Sequence, residues 1–499
     1  MWLRFSLVLL FLFAGIVLPA QVIAPVDSSV TPIAGIQPGQ VRVDTLLPDS
    51  SVYIIRSISF AGNKITKQFI LEREMTFRSG DTLTGSELRR RSARSRENLL
   101  NTALFNFVAI APYCSFDSLD PLCTRTDIVV SVRERWYTWP TPIFDVAEQN
   151  FNTWWQHGHN LERATYGFYL WRYNFRGRKE SIALVCSFGY ARQFGAQYAI
   201  PYINLKQTLG LTFTTSYTQS HEVAYATRNN KLQFYRAQEG FVRRETGVGI
   251  QLAYRRGIYI RHTLDFKYTN TAIVDSVIQL ASDYLASGLK KTEYFTLSYR
   301  VIRDHRDIKA YPLRGNFQEF EMAKLGFGIL PYENLNVFYV VAGLRHYRRL
   351  WPRFFGAGMI RGRWMTTGTP PYSHQRAFGF SNYVRGYEYY VVDGQSYVLG
   401  KISFRYQLLK PHVYKIPKLK VEKFNTFHIA IYTGLFADAG FVRDRASNAA
   451  DNNQLGNSLL FGYGAGIDIV TYYDLSLRVE YAFNAIGESG FFLHLGTPF

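Results

Sequence analysis

The sequence contains little cysteine, few acidic residues and no long hydrophobic run after its first twenty residues. Three cysteines among 499 residues exclude a small domain held together by disulfides, because such domains are dense in bridges. Charged or polar residues interrupt every later apolar stretch before it reaches the roughly 20 residues of a membrane-spanning helix. A helical membrane protein is therefore excluded as well.

Aromatic and basic residues are abundant instead. The chain has 38 Phe, 35 Tyr and 8 Trp, and its 57 Lys and Arg against 38 Asp and Glu give a net charge of +19. This composition excludes disorder and leaves a large soluble enzyme, a multidomain binder or an outer-membrane β-barrel. The charge favours nucleic-acid binding, yet the basic residues are dispersed over strands and turns, which fits a barrel lumen, its rim and lipid headgroups better.

The N-terminus has the pattern of an export signal. Residues 1–4 carry a positive charge, residues 5–18 are apolar, and Leu-Pro-Ala at 18–20 offers a cleavage site. We predict a signal peptide over 1–20, which points to a Gram-negative bacterium. The following residues, 21–51, are rich in Pro, Ser and Val, and we predict a flexible linker there.

Residues 52–136 read as a small α+β domain. An alternating strand over 53–60 ends at a Gly-Asn turn. Thr84 and Glu87 have the spacing of a capping box that opens the longer of two helices. Two further strands complete a β-α-α-β-β order.

Two features of this domain have open interpretations. Arginines crowd its longer helix, and they form either a solvated face or a contact with anionic headgroups or an acidic partner. Cys114 and Cys123 flank the loop between the last two strands, and an oxidising compartment favours a local disulfide there. No histidine lies nearby, so a metal site is not expected. Cys186 lies in an apolar strand and reads as an inert thiol, in the core or facing lipid.

Residues 137–499 share one sequence pattern: in stretches of about ten residues, apolar side chains alternate with polar or small ones. Residues 461–469 and 475–483 show it most clearly. We predict an all-β transmembrane barrel of about 16 antiparallel strands. A sheet that spans a bilayer must close into a barrel, because no water is present there to hydrogen-bond the backbone groups of an open edge. A soluble β-sandwich also alternates, but the length, the aromatic content and the signal peptide favour the barrel.

Three short motifs resemble those of a known family. Val-Arg-Gly-Tyr at 384–387 is similar to the VRGY/F signature of the BamA/TamA outer-membrane assembly superfamily, where a loop carries it into the lumen. Phe-Ala-Asp-Ala-Gly at 436–440 resembles that family's F-x-D-x-G strand motif. Arg-Asp at 306–307, followed by Tyr-Pro-Leu-Arg-Gly at 311–315, resembles its R-D…P-x-x-G stretch.

The N-terminal domain resembles a POTRA domain, the periplasmic module that precedes such barrels. The resemblance rests on Gly-Asn-Lys-Ile at 62–65, Gly80, Leu-Phe at 104–105, Val108 and a last strand ending at Glu134. It implies a POTRA domain over 52–136 in the periplasm and a bacterial surface antigen barrel over 137–499 in the outer membrane.

The resemblance also implies a latch inside the barrel. Strand alternation turns Phe436 and Asp438 inward, so that the Asp438 carboxylate can hold Arg385, while Gly386 permits close approach and Tyr387 completes the motif. An ordinary solvated lumen wall is the alternative.

The end of the chain resembles the C-terminal signal that outer-membrane assembly machinery reads. Its residues alternate on one face of the final strand: Phe491, Leu493, Leu495 and Phe499.

The function that the resemblance implies is assembly, insertion or translocation of other proteins at the outer membrane, through the POTRA domain and a barrel seam gated by the VRGY loop. Its partners would be unfolded outer-membrane or secreted proteins, the bilayer and partner subunits. The alternatives are a dedicated secretion pore for one protein, a passive channel and a lipid-handling barrel. We expect no enzyme, cofactor, metal or nucleic acid, because the sequence has no phosphate loop, nucleophile elbow or zinc spacing.

Overall fold

The computed structural model describes residues 40–42, 48–115, 124–146, 164–285, 288–366, 369–415, 426–446, 451–471 and 475–496. Within these residues, no helix has both the length and the hydropathy needed to cross a membrane.

The N-terminal domain packs two helices on a five-stranded sheet of order β1-β4-β5-β2-β3, in which β2 and β5 are parallel and the other pairs antiparallel. Its elements are β1 (Gln40–Arg42), β2 (Val52–Ala61), α1 (Gln68–Glu72), β3 (Thr82–Thr84), α2 (Gly85–Leu100), β4 (Phe105–Ser115) and β5 (Arg125–Glu134). The Thr84 hydroxyl caps α2 by accepting a hydrogen bond from the Glu87 amide at 3.2 Å, as the sequence predicted.

Two three-residue strands depart from the predicted β-α-α-β-β order. The predicted flexible linker, 21–51, contains β1, which pairs with the end of β4 because that edge offers unpaired backbone groups. Strand β3 lies between the two helices in the chain and pairs with the start of β2. The predicted disulfide falls outside the described residues, since Cys123 and the Cys114 side chain are not among them. Cys186 is a free, partly buried thiol in the strand Glu180–Gly189.

The rest of the chain forms one antiparallel sheet that, within the described residues, has sixteen strands joined in chain order. This confirms the predicted barrel. The strands are β6 (Thr138–Val146), β7 (Ala164–Phe175), β8 (Glu180–Gly189), β9 (Ala191–Ile200), β10 (Leu209–Ser220), β13 (Arg243–Arg256), β14 (Ile260–Ile273), β15 (Lys291–Asp304), β16 (Gly315–Leu325), β17 (Val337–Trp351), β18 (Phe354–Met365), β21 (Ser396–Lys415), β22 (Thr426–Arg443), β23 (Leu459–Val470), β24 (Ser476–Asn484) and β25 (Ser489–Leu495).

The connections at the end away from the N-terminal domain carry the remaining elements. These are a hairpin of β11 (Glu222–Arg228) and β12 (Lys231–Arg236), α3 (Asp275–Leu280), a 3-10 turn (Tyr372–His374), and a short ladder of β19 (Arg376–Phe378) and β20 (Val392–Asp393). Asn230, at the tip of this hairpin, links the β10–β13 connection to the β18–β21 and β22–β23 connections. Its side chain donates to the Val391 carbonyl at 3.4 Å, and its amide donates to Asn453 at 2.8 Å.

Side chains alternate across the barrel wall as the sequence pattern predicts. In β22, Leu435 is 65% exposed on the outer face, whereas Asp438 is 1% exposed on the inner face. The inner face near the C-terminal strands is lined with buried charges: Lys401, Arg405, Asp438, Asp468, Arg478 and Glu480.

The N-terminal domain is docked on the barrel turns that face it. The Lys67 amide donates to the Gly177 carbonyl at 2.9 Å, and Arg73 donates to the Gly257 carbonyl at 2.7 Å. Tyr202, from the β9–β10 turn, is buried in the hydrophobic core of the N-terminal domain. The two parts of the chain therefore share one packed interface.

A buried ion pair lies at the centre of this interface. Arg255 donates to both carboxylate oxygens of Glu74, at 2.6 and 2.8 Å, and also to the Tyr202 hydroxyl at 2.6 Å. Burial raises the pKa of the Glu74 carboxyl, but the Arg255 hydrogen bonds and the charge of Lys179 outweigh it, so that the pKa lies below its ordinary value of 4.5. Burial also lowers the pKa of Lys179 to about 8, against the attraction of Glu74.

Replacement of Glu74 by Gln is expected to weaken docking by about 3 kcal/mol, because it leaves Arg255 buried without its counter-charge. Hydrogen exchange of the Lys67 amide, which docking protects, measures the change. Since the Glu74 pKa is lowered by docking, its contribution is complete above pH 4.5 and is lost as the pH falls through the docked value.

The matched control is Glu72→Gln, on the exposed side of α1, where Glu72 contacts only the Gln68 side chain among the hydrogen bonds of the described residues. Equal exchange rates in both variants would contradict a docking role for Glu74.

Candidate functional site

The site is built around a long connection, residues 369–395, between β18 and β21, which we call the VRGY loop. Val384, Arg385 and Tyr387 are each at most 3% exposed, so the motif is fully buried against the barrel wall. Arg363, in β18, holds the loop's two ends together. Its guanidinium donates to the carbonyls of Arg376 and Gly394, at 3.0 and 2.7 Å.

The Arg385 guanidinium is bound on several sides. Nε and Nη2 donate to the two oxygens of Asp438, at 2.9 and 2.5 Å, and the Arg385 amide donates to Asp438 at 3.1 Å. Nη1 donates to Glu480 at 3.0 Å. The Phe436 ring lies 3.9 Å from the guanidinium carbon, a cation–π contact. We call the contacts of Arg385 with Asp438 and Glu480 the Arg385 latch.

Neighbouring charges complete the network. Lys401 places its ammonium 3.4 Å from Asp438, and Arg478 lies 3.7 Å from Glu480. Both carboxylates of the latch are almost completely buried. Removing one partner from such a buried pair costs about 3–5 kcal/mol, because it leaves the other charge uncompensated. Each carboxylate of the latch therefore has two cations within 4 Å, and loss of Arg385 removes one from both.

Two glycines allow the loop to approach the wall. Gly386 has φ +91°, a conformation that other residues rarely adopt, and its carbonyl accepts a hydrogen bond from Asn484 at 2.8 Å. Gly462, in β23, faces the loop, and a Cβ built on it would lie 1.8 Å from the Arg385 carbonyl oxygen. A side chain at either position is incompatible with the observed packing.

The structure brings the predicted latch residues together at one point. Arg385, Asp438 and Phe436 are in direct contact, Gly386 lies beside β24, and the Tyr387 hydroxyl accepts a hydrogen bond from the Ala485 amide at 3.2 Å.

Two residues of the predicted C-terminal signal lie elsewhere, on the outer face of β25. Phe491 and Leu493 are 74% and 48% exposed there. Leu495 is the last residue of β25, and Phe499 lies outside the described residues.

The arginines of α2 contact groups of the chain itself. Arg91 binds Glu87 at 2.7 Å, Arg94 donates to the Tyr259 hydroxyl of the barrel at 2.9 Å, and Arg96 donates to a backbone carbonyl at 2.9 Å. The helix face is therefore partly a docking surface, which neither sequence interpretation included.

Sequence reasoning missed several residues of the site. Glu480 and Lys401 lie at inward positions of alternating strands, so the period-2 pattern placed them in the lumen without showing that they meet Arg385. Arg363 and Asn484 bind backbone carbonyls of the loop, and no local sequence signal marks such contacts.

Comparison with known proteins assigns the family. The Omp85 superfamily domain matches residues 174–499. The chain belongs to the Omp85 superfamily. A second family, the surface antigen variable number repeat or POTRA, matches residues 53–135. Both matches confirm the resemblance drawn from the motifs. No curated protein matches the chain.

Several solved structures are similar to this Omp85 protein. BamA from Haemophilus ducreyi lacking POTRA domains 1–3 is 15% identical with a TM-score of 0.48, over 89% of this chain and 84% of that chain. CdiB from Acinetobacter baumannii is 13% identical with a TM-score of 0.45, over 89% and 74%. CdiB from Escherichia coli is 10% identical with a TM-score of 0.43, over 91% and 92%.

Family membership sets the location and the general role. The Omp85 barrel lies in the outer membrane with its N-terminal POTRA domain in the periplasm. Proteins of this family handle unfolded outer-membrane or secreted proteins, and the chain has this family-level role in assembly or translocation.

Replacement of Gly462 by Ala is expected to displace the VRGY loop, because the new methyl group overlaps the Arg385 carbonyl. The Arg385 residue is 2% exposed in the native fold. Displacement of the loop therefore exposes the peptide bond that follows Arg385. Limited trypsin digestion with mass spectrometry of the fragment ending at Arg385 measures it.

Gly358→Ala is the matched control, since a Cβ at Gly358, in β18, meets nothing within 4 Å. Resistance of the Gly462→Ala variant at Arg385, equal to that of the control, would show that the loop does not depend on this close approach.

Proposed function

We propose that this Omp85 protein assembles or translocates client proteins at the outer membrane, and that the Arg385 latch sets the state of the barrel seam. The seam is the junction of the first and last barrel strands, β6 and β25. The observation that carries the proposal is the contact of the latched loop with β25 itself. Tyr383 stacks on His494 with ring centroids 5.4 Å apart, and Tyr389 contacts Phe492 at 5.4 Å.

The latch and the last strand also share charged partners. The His494 imidazole lies 3.4 Å from Glu480, which binds Arg385, and 3.5 Å from Glu388 of the VRGY loop. Movement of the loop out of the lumen would thus remove three supports of β25 at once. A last strand that loses its inner supports is easier to separate from its neighbours, because local opening follows local contact density.

The pairing of the seam strands supports an opening there. Strand β25 pairs with β24 over the seven residues Ser489–Leu495, whereas β21 pairs with β22 along almost the whole of an eighteen-residue strand. Among the described residues, no pairing joins β25 to β6. A strand edge that becomes exposed when the seam opens is a template for a client strand.

The POTRA domain offers a second edge. Strand β3 and the turn before it cover β2 as far as Arg56. Within the described residues, 57–61 pair with β5 on one side only. An extended client segment can add to this edge by β-augmentation before it reaches the barrel.

The first test is conditional depletion of the protein followed by quantitative proteomics of the outer membrane. Loss of many unrelated barrels would support general assembly, and loss of one or a few exported proteins would support dedicated secretion or specialised assembly. An unchanged proteome would contradict the proposal and leave a passive channel or a lipid-handling role.

Complementation of the depleted strain adds the latch to the same test. The Arg385→Ala variant is expected to fail to restore the lost proteins, because Asp438 and Glu480 lose their shared cation. Arg300→Ala is the matched control, since Arg300 pairs with Glu321 in another part of the barrel, at 2.6 Å. Full rescue by Arg385→Ala would contradict a role for the latch.

A simple exchange of the charges of Arg385 and Asp438 is not an informative variant. An acidic residue at position 385 would face Glu480, and a basic residue at position 438 would face Lys401 at 3.4 Å or closer. The exchange is therefore expected to fail even where the pairing is direct.

A further inference from the structure

The connection between β15 and β16 enters the lumen from the periplasmic end. Tyr311, near its middle, is 5% exposed. Its ring packs on Tyr432 with centroids 4.8 Å apart, and the Arg405 guanidinium lies 5.1 Å from it. The Asp307 carboxylate accepts hydrogen bonds from the amides of Ile308 and Leu313, at 2.8 and 3.1 Å, and so keeps the segment folded.

The inner end of this connection touches the charge network of the latch. The Tyr311 hydroxyl donates to Asp468 at 2.5 Å. Asp468 also accepts from Arg478 at 2.8 Å, and Arg478 lies 3.7 Å from Glu480. Glu480 binds Arg385 at 3.0 Å. Tyr311 is therefore linked to the latch through Asp468, Arg478 and Glu480.

The outer end of the same connection is held by the POTRA domain. Asn101, the C-cap of α2, donates to the Asp307 carbonyl at 2.8 Å and accepts from the Lys309 amide at 2.9 Å. Two opposed hydrogen bonds from one side chain fix both the position and the orientation of this backbone. The POTRA domain is thus hydrogen-bonded to the segment that carries Tyr311.

We propose that Tyr311 is a positioning residue that ties the docked POTRA domain to the Arg385 latch. While the domain is docked, Asn101 holds the connection in the lumen, and the Tyr311 hydroxyl helps to keep Asp468 and Arg478 in place beside Glu480. Undocking breaks the hydrogen bonds of Asn101 and withdraws Tyr311 from Asp468. Arg478 can then move between Asp468 and Glu480, and this movement weakens the bond between Glu480 and Arg385. Client arrival at the POTRA domain would then reach the seam through this route.

This inference rests on the latch of the proposed function, so its test reads loop position rather than client assembly. Spin labels on Ser381→Cys, in the VRGY loop, and Leu459→Cys, at the start of β23, report their separation by pulsed electron resonance. Both sites are exposed, and the three native cysteines are replaced by serine. The labelled full chain is measured in lipid nanodiscs.

Tyr311→Phe keeps the ring and removes only the hydroxyl. We expect the displaced loop population to rise about tenfold or more, as for loss of a hydrogen bond to a charged acceptor. Asn101→Ala is expected to raise it as well, and the double variant no further than the larger single effect, because both residues act along one route. Tyr339→Phe is the matched control, since it removes a tyrosine hydroxyl that donates to another carboxylate, Glu321, at 3.1 Å.

Each of the other possible results would contradict one part of this inference. An unchanged loop in Tyr311→Phe, with a displaced loop in Arg385→Ala, would overturn the inference and leave the latch standing. Additive effects of Asn101→Ala and Tyr311→Phe would overturn the single route, and equal displacement in Tyr339→Phe would overturn the specific role of Tyr311. An unmoved loop in Arg385→Ala would overturn the latch itself.

Discussion

The burial of Arg385 is the constraint on which the rest of the site depends. A guanidinium out of contact with water must find carboxylates at hydrogen-bond distance, and the loss of hydration is large unless every donor is satisfied. Asp438 and Glu480 supply them from two strands, β22 and β24, that lie on either side of β23. Gly462, on the strand between them, leaves room for the loop backbone. The wall and the loop are thus fitted to one charge.

The same charge connects parts of the barrel that are far apart in sequence. The latched loop contacts β25, so the last strand takes part of its support from the lumen as well as from β24. On the periplasmic side, the Glu74–Arg255 pair holds the POTRA domain on the turns, and Asn101 and Tyr311 extend that contact inward. In the function that we propose, such connections let the domain that meets a client influence the strand edge that receives it.

The sequence predicted the features that repeat along the chain and those that form a motif. Period-2 alternation identified the barrel and turned Asp438 inward, and the Thr84 cap marked the start of α2. It did not predict β1 and β3, because three-residue strands are too short to show a period. Nor did it predict the Glu74–Arg255 pair or the Tyr311–Asp468 bond, since those partners are 181 and 157 residues apart. Only the strand register and the docking of the domain bring them together.

The most direct measurement of the central claim is a double-mutant cycle on Arg385→Met and Asp438→Asn, read by hydrogen exchange of the Tyr387 amide, which donates to the Val384 carbonyl at 3.1 Å. A direct bond between Arg385 and Asp438 predicts that each single change speeds loop opening about tenfold or more and that the double variant is no faster than the faster single one. Two effects that multiply in the double variant would contradict a direct bond between the two residues as the interaction that holds the loop.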